Sequence, residues 1–490
     1  MKCFTLFIVG EKIMKKLLLA AVISLVAIVP ASAAKVGISG SLLTEAFTTM
    51  DYDLDSDAKG DFGQLRQDAE MDFTFQLSDN VLGVIDLRAN NMLVNSGFAD
   101  VLNVNQAYVQ AKEFLYAPLT LTVGKQKMHY ALRGDGNSMW LGYDAENAGI
   151  TGALDPVPVG FKGTLNYQNL IIDLFIMKFV ESAAHPMVAG DTDLYGFNVD
   201  YWLSEDVDNL VNFYFGFLND DASADGNIVA SDNALDNTTA ALVAAGAIPP
   251  GTNTTSGDWN NYVGIVGLGV DYFMLNNALE LSGEVAVQFG ALNSTEEDGY
   301  DSADLFAYAF DLAVRYDWAG VNYKPWVELS FALRSGQTDD DDKITAWQPL
   351  MENNDKTLLV EGDDQLGMGI DATGNDLASG YYAIRLGGGA SFTDKISGDI
   401  LFAVFGDMTN EDVPMNSVGA ATEDDMIGFE VDLGVDYAYS ENLSMGLDLG
   451  IFAPGSGSES ENVPAAVAGL VKTDDASTAF GVLFTTALSF

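Results

Sequence analysis

Met71, Phe73, Phe75 and Leu77 alternate with Asp72, Thr74 and Gln76, and Val431, Leu433, Val435 and Tyr437 alternate with Asp432, Gly434 and Asp436. A period of two places each set on one face of a β-strand. Stretches of this kind, rich in Val, Ile, Leu, Phe and Tyr, recur from Lys35 to the end of the chain. They predict eighteen strands over residues 35–49, 67–77, 81–90, 103–112, 117–126, 156–167, 169–180, 191–203, 207–217, 261–275, 278–289, 302–317, 321–334, 378–392, 396–406, 424–438, 442–453 and 474–490.

The connections are sorted by parity. Those after even-numbered strands are short, as at 78–80, 167–169, 204–208, 275–277, 318–320, 393–395 and 440–442, whereas those after odd-numbered strands are longer and two of them cover 218–260 and 335–377. Short turns on one side and long loops on the other are the pattern of a bacterial transmembrane β-barrel. The expected fold is therefore all-β, an antiparallel transmembrane barrel of 18 strands, with 16 as the alternative, carrying short periplasmic turns and long extracellular loops. A soluble sandwich has no reason to sort its loops in this way. Beyond the N-terminal region no run approaches 18 uninterrupted apolar residues, which excludes ordinary membrane-spanning helices.

The N-terminal region reads as an export signal. Lys15 and Lys16 precede an apolar run through Val29, with the small residues Ala31 and Ala33 at a cleavage point. Residues 1–33 are assigned to the signal peptide, with Met14 as an alternative start, and 34–490 to a single barrel domain. The expected location is the outer membrane of a diderm (Gram-negative) bacterium. Cys3, the only cysteine, leaves with the leader, so neither a disulfide framework nor a thiolate site is expected. His129 and His185 fit no zinc-ligand spacing.

The final strand, Phe480 to Phe490, has Phe480, Val482, Phe484, Leu488 and Phe490 on one parity and no charged side chain. Such an ending closes a barrel, its aromatic parity toward lipid. It also resembles the C-terminal signature that outer-membrane insertion machinery recognises, which makes that machinery an expected partner through Phe490.

If the apolar parity faces lipid, the opposite parity lines a water-filled lumen. The pore-lining residues expected on this basis are Asp72, Asp86, Arg88, Gln106, Gln110 and Lys112 from the first strands, then Asp271, Glu280 and Glu284, then Asp311, Arg315, Glu328 and Arg334. Arg385, Glu430, Asp432, Asp436 and Asp448 complete the set, with Gln76, Gln288 and Asp399 on the same parity. Acidic residues outnumber basic ones among them, which predicts a preference for cations through electrostatic focusing. Arg315, Arg334 and Arg385 either oppose Glu280, Glu284 and Glu430 across a constriction or pair with neighbours such as Asp311 and Glu328; the second reading is favoured.

The whole chain is acidic, with 71 Asp and Glu against 22 Lys and Arg. Loss of Lys2, Lys12, Lys15, Lys16 and Glu11 with the leader takes the formal charge from -49 to -52. Nucleic acid is excluded as a partner by repulsion from phosphate. Much of the charge falls in predicted outer loops at 51–57, 295–301, 338–343, 361–364 and 422–425. The plain reading of this charge is a hydrated outer surface with no cofactor; the sharper one is Ca2+, which favours clustered carboxylate oxygens, with Asp339, Asp340, Asp341 and Asp342 as the candidate ligands, although they do not form the 12-residue calcium loop. The apolar tract 239–248 and the loop 335–377 are candidates for narrowing the channel. Paired carboxylates such as Glu280 with Glu284 invite a glycosidase reading, but no nucleophile, phosphate-loop or zinc motif accompanies them, and no enzyme activity is expected.

Between Asn103 and Gly136, the strand carrying Gln106, Ala107 and Tyr108 and the run Val123-Gly124-Lys125-Gln126 are similar to the strand pair and VGRQ-like segment of the alginate-export family of outer-membrane porins. Tyr130, Arg133 and Gly134 extend the likeness loosely. The resemblance implies 18 strands and a diffusion channel for an anionic polysaccharide, with a basic constriction. Lys125 stands where that family carries Arg.

The sequence thus predicts a passive porin for small hydrophilic solutes or ions, embedded in outer-membrane lipid, with a homotrimer as one assembly. Its alternatives are a substrate-specific saccharide channel of the alginate-export type and a structural or adhesive barrel with a plugged lumen.

Overall fold

A computed structural model of the chain describes residues 35–50, 62–89, 103–128, 130, 157–180, 192–203, 209–220, 261–296, 299–336, 343–347, 356–361, 380–408, 426–455 and 478–490. The expected signal peptide 1–33, the tract 239–248, Asp339 to Asp342, His129, His185 and most of the acidic loop stretches lie outside the described residues.

The strands in chain order are β1 (Lys35–Met50), β2 (Phe62–Ser78), β3 (Val81–Ala89), β4 (Asn103–Ala111), β5 (Leu119–Lys125), β6 (Val159–Asn166), β7 (Leu170–Val180), β8 (Thr192–Trp202), β9 (Leu210–Asp220) and β10 (Asn261–Met274). They continue as β11 (Leu279–Glu296), β12 (Gly299–Asp317), β13 (Trp326–Arg334), β14 (Lys343–Ile344), β15 (Tyr381–Ser391), β16 (Ile396–Asp407), β17 (Met426–Ala438), β18 (Leu443–Pro454) and β19 (Ala479–Ser489).

Apart from β14, each strand pairs antiparallel with its sequence neighbours, β13 pairing directly with β15. The ring closes between β1 and β19 over a register running from Ser41 opposite Ser489 to Met50 opposite Phe480. Closure is what the membrane demands, because an open edge in hydrocarbon would leave backbone N–H and C=O groups without partners. The barrel has 18 strands, and β14 is a two-residue strand lying parallel to β12 at Asp304 and Leu305.

All eighteen sequence-predicted strands are present. Two connections differ from expectation. The turn between β12 and β13 runs through 318–325 instead of 318–320, because Pro325 has no N–H for a ladder and Tyr323 and Lys324 take positive φ values of 71° and 41°. The stretch 295–301, read as an outer loop, is largely strand: β11 and β12 continue to the pair Glu296 and Gly299.

On most of the barrel strands one face is exposed and apolar. On β12, Phe306 and Leu312 are 57% and 44% exposed while Leu305, Ala307 and Ala309 are buried. Leu174 and Ile176, Val285 and Phe289, Leu447 and Leu449, and Phe480 and Phe484 repeat this outward pattern. The outward face carries the band that contacts lipid. Near the short turns, exposed Tyr116, Tyr167, Trp318, Tyr323, Tyr439 and Phe490 supply an aromatic girdle.

The inward face is not uniformly polar, contrary to the expectation of a simple aqueous lining. Phe175, Met177, Leu194, Tyr214, Leu218, Val263 and Ile265 form an apolar cluster inside β7–β10, together with Ala286, Leu305, Ala307 and Ala309. A second cluster joins Phe47, Tyr381, Ala383, Phe405, Ile427 and Phe452. Both are covered by chain from the loops: Met128, Val157 and Trp347 complete the first, and Leu358, Leu359 and Val360 the second. Apolar side chains facing inward are stable because these segments remove them from water.

Candidate functional site

The long connection between β13 and β15 enters the barrel. Ser335 anchors its first part: the Trp347 N–H donates to the Ser335 carbonyl at 2.8 Å, and Ser335 Oγ donates to the Thr345 carbonyl at 2.7 Å. Trp347 is thereby held fully buried in the cluster against β7–β12. Further along, the Leu358, Leu359 and Val360 side chains pack on the opposite wall, in the cluster formed by β13 to β19 and β1. The described parts of the connection therefore pack in both inward clusters.

The second contact is polar as well as apolar. Backbone N–H groups of Leu359 and Val360 donate to Glu430 Oε1 and Oε2 at 2.6 and 3.0 Å, and that of Leu358 donates to Asp432 Oδ2 at 3.1 Å. Glu361 then turns its carboxylate to the Arg385 guanidinium and accepts from the Tyr381 hydroxyl at 3.2 Å. Glu361 lies in the stretch 361–364 that reads as a hydrated outer loop; its carboxylate is instead buried, because Arg385 inside the barrel needs a counter-charge.

Below this seat the wall is a row of carboxylates. Asp399 on β16 and Asp448 on β18 lie opposite Gly434 on β17, and Asp436 lies opposite Gly446. The missing Cβ at Gly434 leaves room for both neighbours: Asp399 Oδ1 and Asp448 Oδ1 come within 2.6 and 3.0 Å of where it would stand. Asp432 is the next inward residue on β17. Glycines thus let four aspartates from three strands gather on one part of the wall.

The rest of the inward polar set is paired locally. Arg66 contacts Glu45 at 3.3 Å and Asp68 at 2.9 Å, and Arg88 contacts Asp68 at 3.4 Å. Asp86 accepts from Asn105 and Gln106, while Lys127 lies 3.6 Å from Glu70. Arg334 makes a two-pronged contact with Asp311 at 3.0 and 3.2 Å. Arg315 contacts Asp317 and Glu328 and lies 4.2 Å from the Trp326 ring centroid. Arg315 and Arg334 follow the local-pairing alternative, whereas the Arg385 partner comes from a loop.

Other predicted lining residues fall as follows. Asp271 and Glu284 are buried on the inward face, and Glu284 accepts from the Tyr214 hydroxyl at 2.6 Å. Glu280 is in register with Arg315. Asp72 lies opposite Asp86, and Gln110 donates to Thr122 at 3.4 Å. Lys112 is a correction: β4 ends at Ala111, and Lys112 belongs to the turn, where its N–H meets the Asn80 carbonyl.

Residues missed in sequence include Glu45, Arg66, Asp68, Lys127 and Glu361. The first three lie on strands or strand extensions whose ends were set too short or whose alternation is weak. Lys127 and Tyr130 enter the barrel beyond the end of β5. Tyr130 donates to Asp173 at 2.9 Å, and burial, reinforced by the Asp173 charge, holds its phenol well above the ordinary tyrosine range.

The VGKQ run has a local structural role. Gly124 has φ of 132°, and a Cβ there would collide with the Ala107 carbonyl. Lys125 donates its ammonium to the Val104 carbonyl at 2.8 Å. The likeness to the alginate-export family thus brings no exposed basic constriction at Lys125.

No protein-family model matches the chain, and no curated protein matches it. Among solved structures, OccD3 (OpdP) of Pseudomonas aeruginosa is similar with a TM-score of 0.50 and 12% identity, over 94% of this chain and 93% of that one. A substituted form of OccD1 (OprD) gives a TM-score of 0.50 at 10% identity, over 94% and 97% of the two chains. OccK11 (OpdR) of Pseudomonas aeruginosa gives 0.49 at 10%, over 93% and 96%. The likeness is one of fold, that of an Occ/OprD-type barrel, and does not single out the alginate-export family.

Proposed function

We propose that the chain is a constricted, solute-selective diffusion channel of the outer membrane, favouring small cationic hydrophilic solutes. The observation that carries this reading is the seat of residues 358–361 on Glu430, Asp432 and Arg385, next to the carboxylate row of Asp399, Asp436 and Asp448. A chain segment held inside the barrel narrows the path, which favours the selective-channel alternative over a wide general porin. The adjoining carboxylates attract cations and repel anions, and a narrow low-dielectric passage focuses that field.

The proposed pore lining comprises the inward carboxylates of β16–β18 with the polar wall of β1–β5. The anionic polysaccharide implied by the alginate-export resemblance fits this wall poorly. The export signal, lipid-facing band and terminal Phe490 support passage through the outer-membrane assembly route.

Single-channel recording in planar bilayers under a salt gradient tests the proposal. Small, cation-preferring steps whose selectivity fades with rising salt are expected, since the screening length falls to about 3 Å at 1 M. Large unselective steps would reinstate the general porin. A silent but inserted barrel would favour the plugged, adhesive alternative.

A further inference from the structure

On the opposite flank of the β1–β19 seam, Glu70, Asp72 and Asp86 bring carboxylate oxygens within 4.8 Å of one another. Asp72 and Asp86 are directly opposed in the β2–β3 register, and the same row continues to Ser39 on β1 and Gln106 on β4. Asp86 is fully buried. Its Oδ2 accepts from Asn105 Nδ2 at 2.8 Å and Gln106 Nε2 at 3.4 Å, which fixes the carboxylate, whereas Oδ1 is buried without a hydrogen-bond partner. A buried carboxylate oxygen left in this condition is costly, and two further carboxylates beside it raise the cost.

Among the described cations nearby, Lys125 donates to the Val104 carbonyl, and two others pair with carboxylates. Lys127 reaches Glu70 Oε1 at 3.6 Å, and Arg88 Nη2 reaches Asp68 at 3.4 Å. We infer that Glu70, Asp72 and Asp86 form a binding site for a hard divalent cation, with calcium as the fitting ion. Oxygens at about 2.3 to 2.6 Å from a common calcium ion span just such a separation. The three ligands stand on paired strands, so the site is preorganised by the sheet and does not require a loop to order. Half-buried Glu70 and Asp72 leave it open toward the lumen, while buried Asp86 supplies the inner oxygen.

This site is separate from the carboxylate row on β16–β18. The test is calorimetric titration of the refolded, detergent-embedded mature chain with CaCl2 at about 0.15 M KCl, where screening weakens loose loop binding. The comparison uses Asp72→Asn, Asp86→Asn and, as a control in the other acidic wall, Asp436→Asn. The expected result is a saturable site of unit stoichiometry, abolished in D72N and D86N and retained in D436N. If D86N does not fold, the half-exposed D72N decides. An isotherm unchanged by D72N, or weakened equally by D436N, would overturn the assignment.

Discussion

The Glu361 carboxylate meets the Arg385 guanidinium inside the barrel, with Arg385 Nε donating to Glu361 Oε2 at 2.8 Å and both side chains almost fully buried. Breaking a buried pair by removing one partner leaves the other charge uncompensated, a cost of about 3 to 5 kcal/mol when nothing relaxes. Here relaxation is available, because Glu361 belongs to a connection and Arg385 to the wall. Glu361→Gln is therefore expected to loosen residues 356–361 without unfolding the barrel. Single-channel conductance should rise and become noisier while the β-sheet circular dichroism is unchanged; an unaltered conductance would remove this pair from the constriction.

The carboxylate row sets a second expectation. Neutralising Asp399 and Asp448 together, as D399N/D448N, removes two charges flanking Gly434 while nearly preserving volume. The cation-to-anion permeability ratio, read from reversal potentials under a salt gradient, should fall, with the larger change at low salt where screening is weak. A ratio indifferent to the double substitution would place the selectivity elsewhere.

Gly267 tests the apolar interior. The Tyr214 ring occupies the space a Cβ on Gly267 would need, and the same tyrosine donates to Glu284. Gly267→Ala must displace that ring and break a buried hydrogen bond, so destabilisation of about 1 to 3 kcal/mol is expected from the overpacking. Lowered resistance of the folded barrel to heat in detergent, followed by gel mobility, would register it. Full wild-type heat resistance would show that the ring yields at no cost.

At the seam, Gly40 and Phe490 exchange two backbone hydrogen bonds of 3.1 Å. Phe490→Ala keeps both but removes the aromatic terminus. Refolding into lipid vesicles should remain near normal, whereas the amount of barrel assembled in cells should drop. Equal loss in both assays would make Phe490 a matter of seam stability alone.

The architecture was largely legible because one-sided strands leave a period-two trace: MDFTFQL and VDLGVDY show it plainly, and all eighteen strands were recoverable. Parity of loop length supplied sidedness. The interior was less legible. In LIIDLFIMKFV on β7, both parities are apolar, so alternation could not reveal that Phe175 and Met177 point inward beneath Trp347. Nor could periodicity place Glu361, whose position depends on a chain reversal into the barrel and a charge on β15. Lys112 was misplaced by one residue at a strand end, where alternation continues past the last ladder pair. The carboxylates of β16–β18 were readable by parity, but their gathering around Gly434 required the register between three strands.

The β11–β12 hairpin has a further mechanical consequence. Its strands hold 18 and 19 residues, whereas a tilted strand crosses a bilayer in about 9 to 11. Some eight surplus residues on each side, at about 3.3 Å apiece, amount to a paired ribbon roughly 25 Å long beyond the hydrocarbon. That ribbon is a mast, paired as far as Glu296 and Gly299 on the side of the long loops. An epitope tag inserted between residues 297 and 298 should consequently be accessible to antibody on intact cells while the channel below continues to conduct.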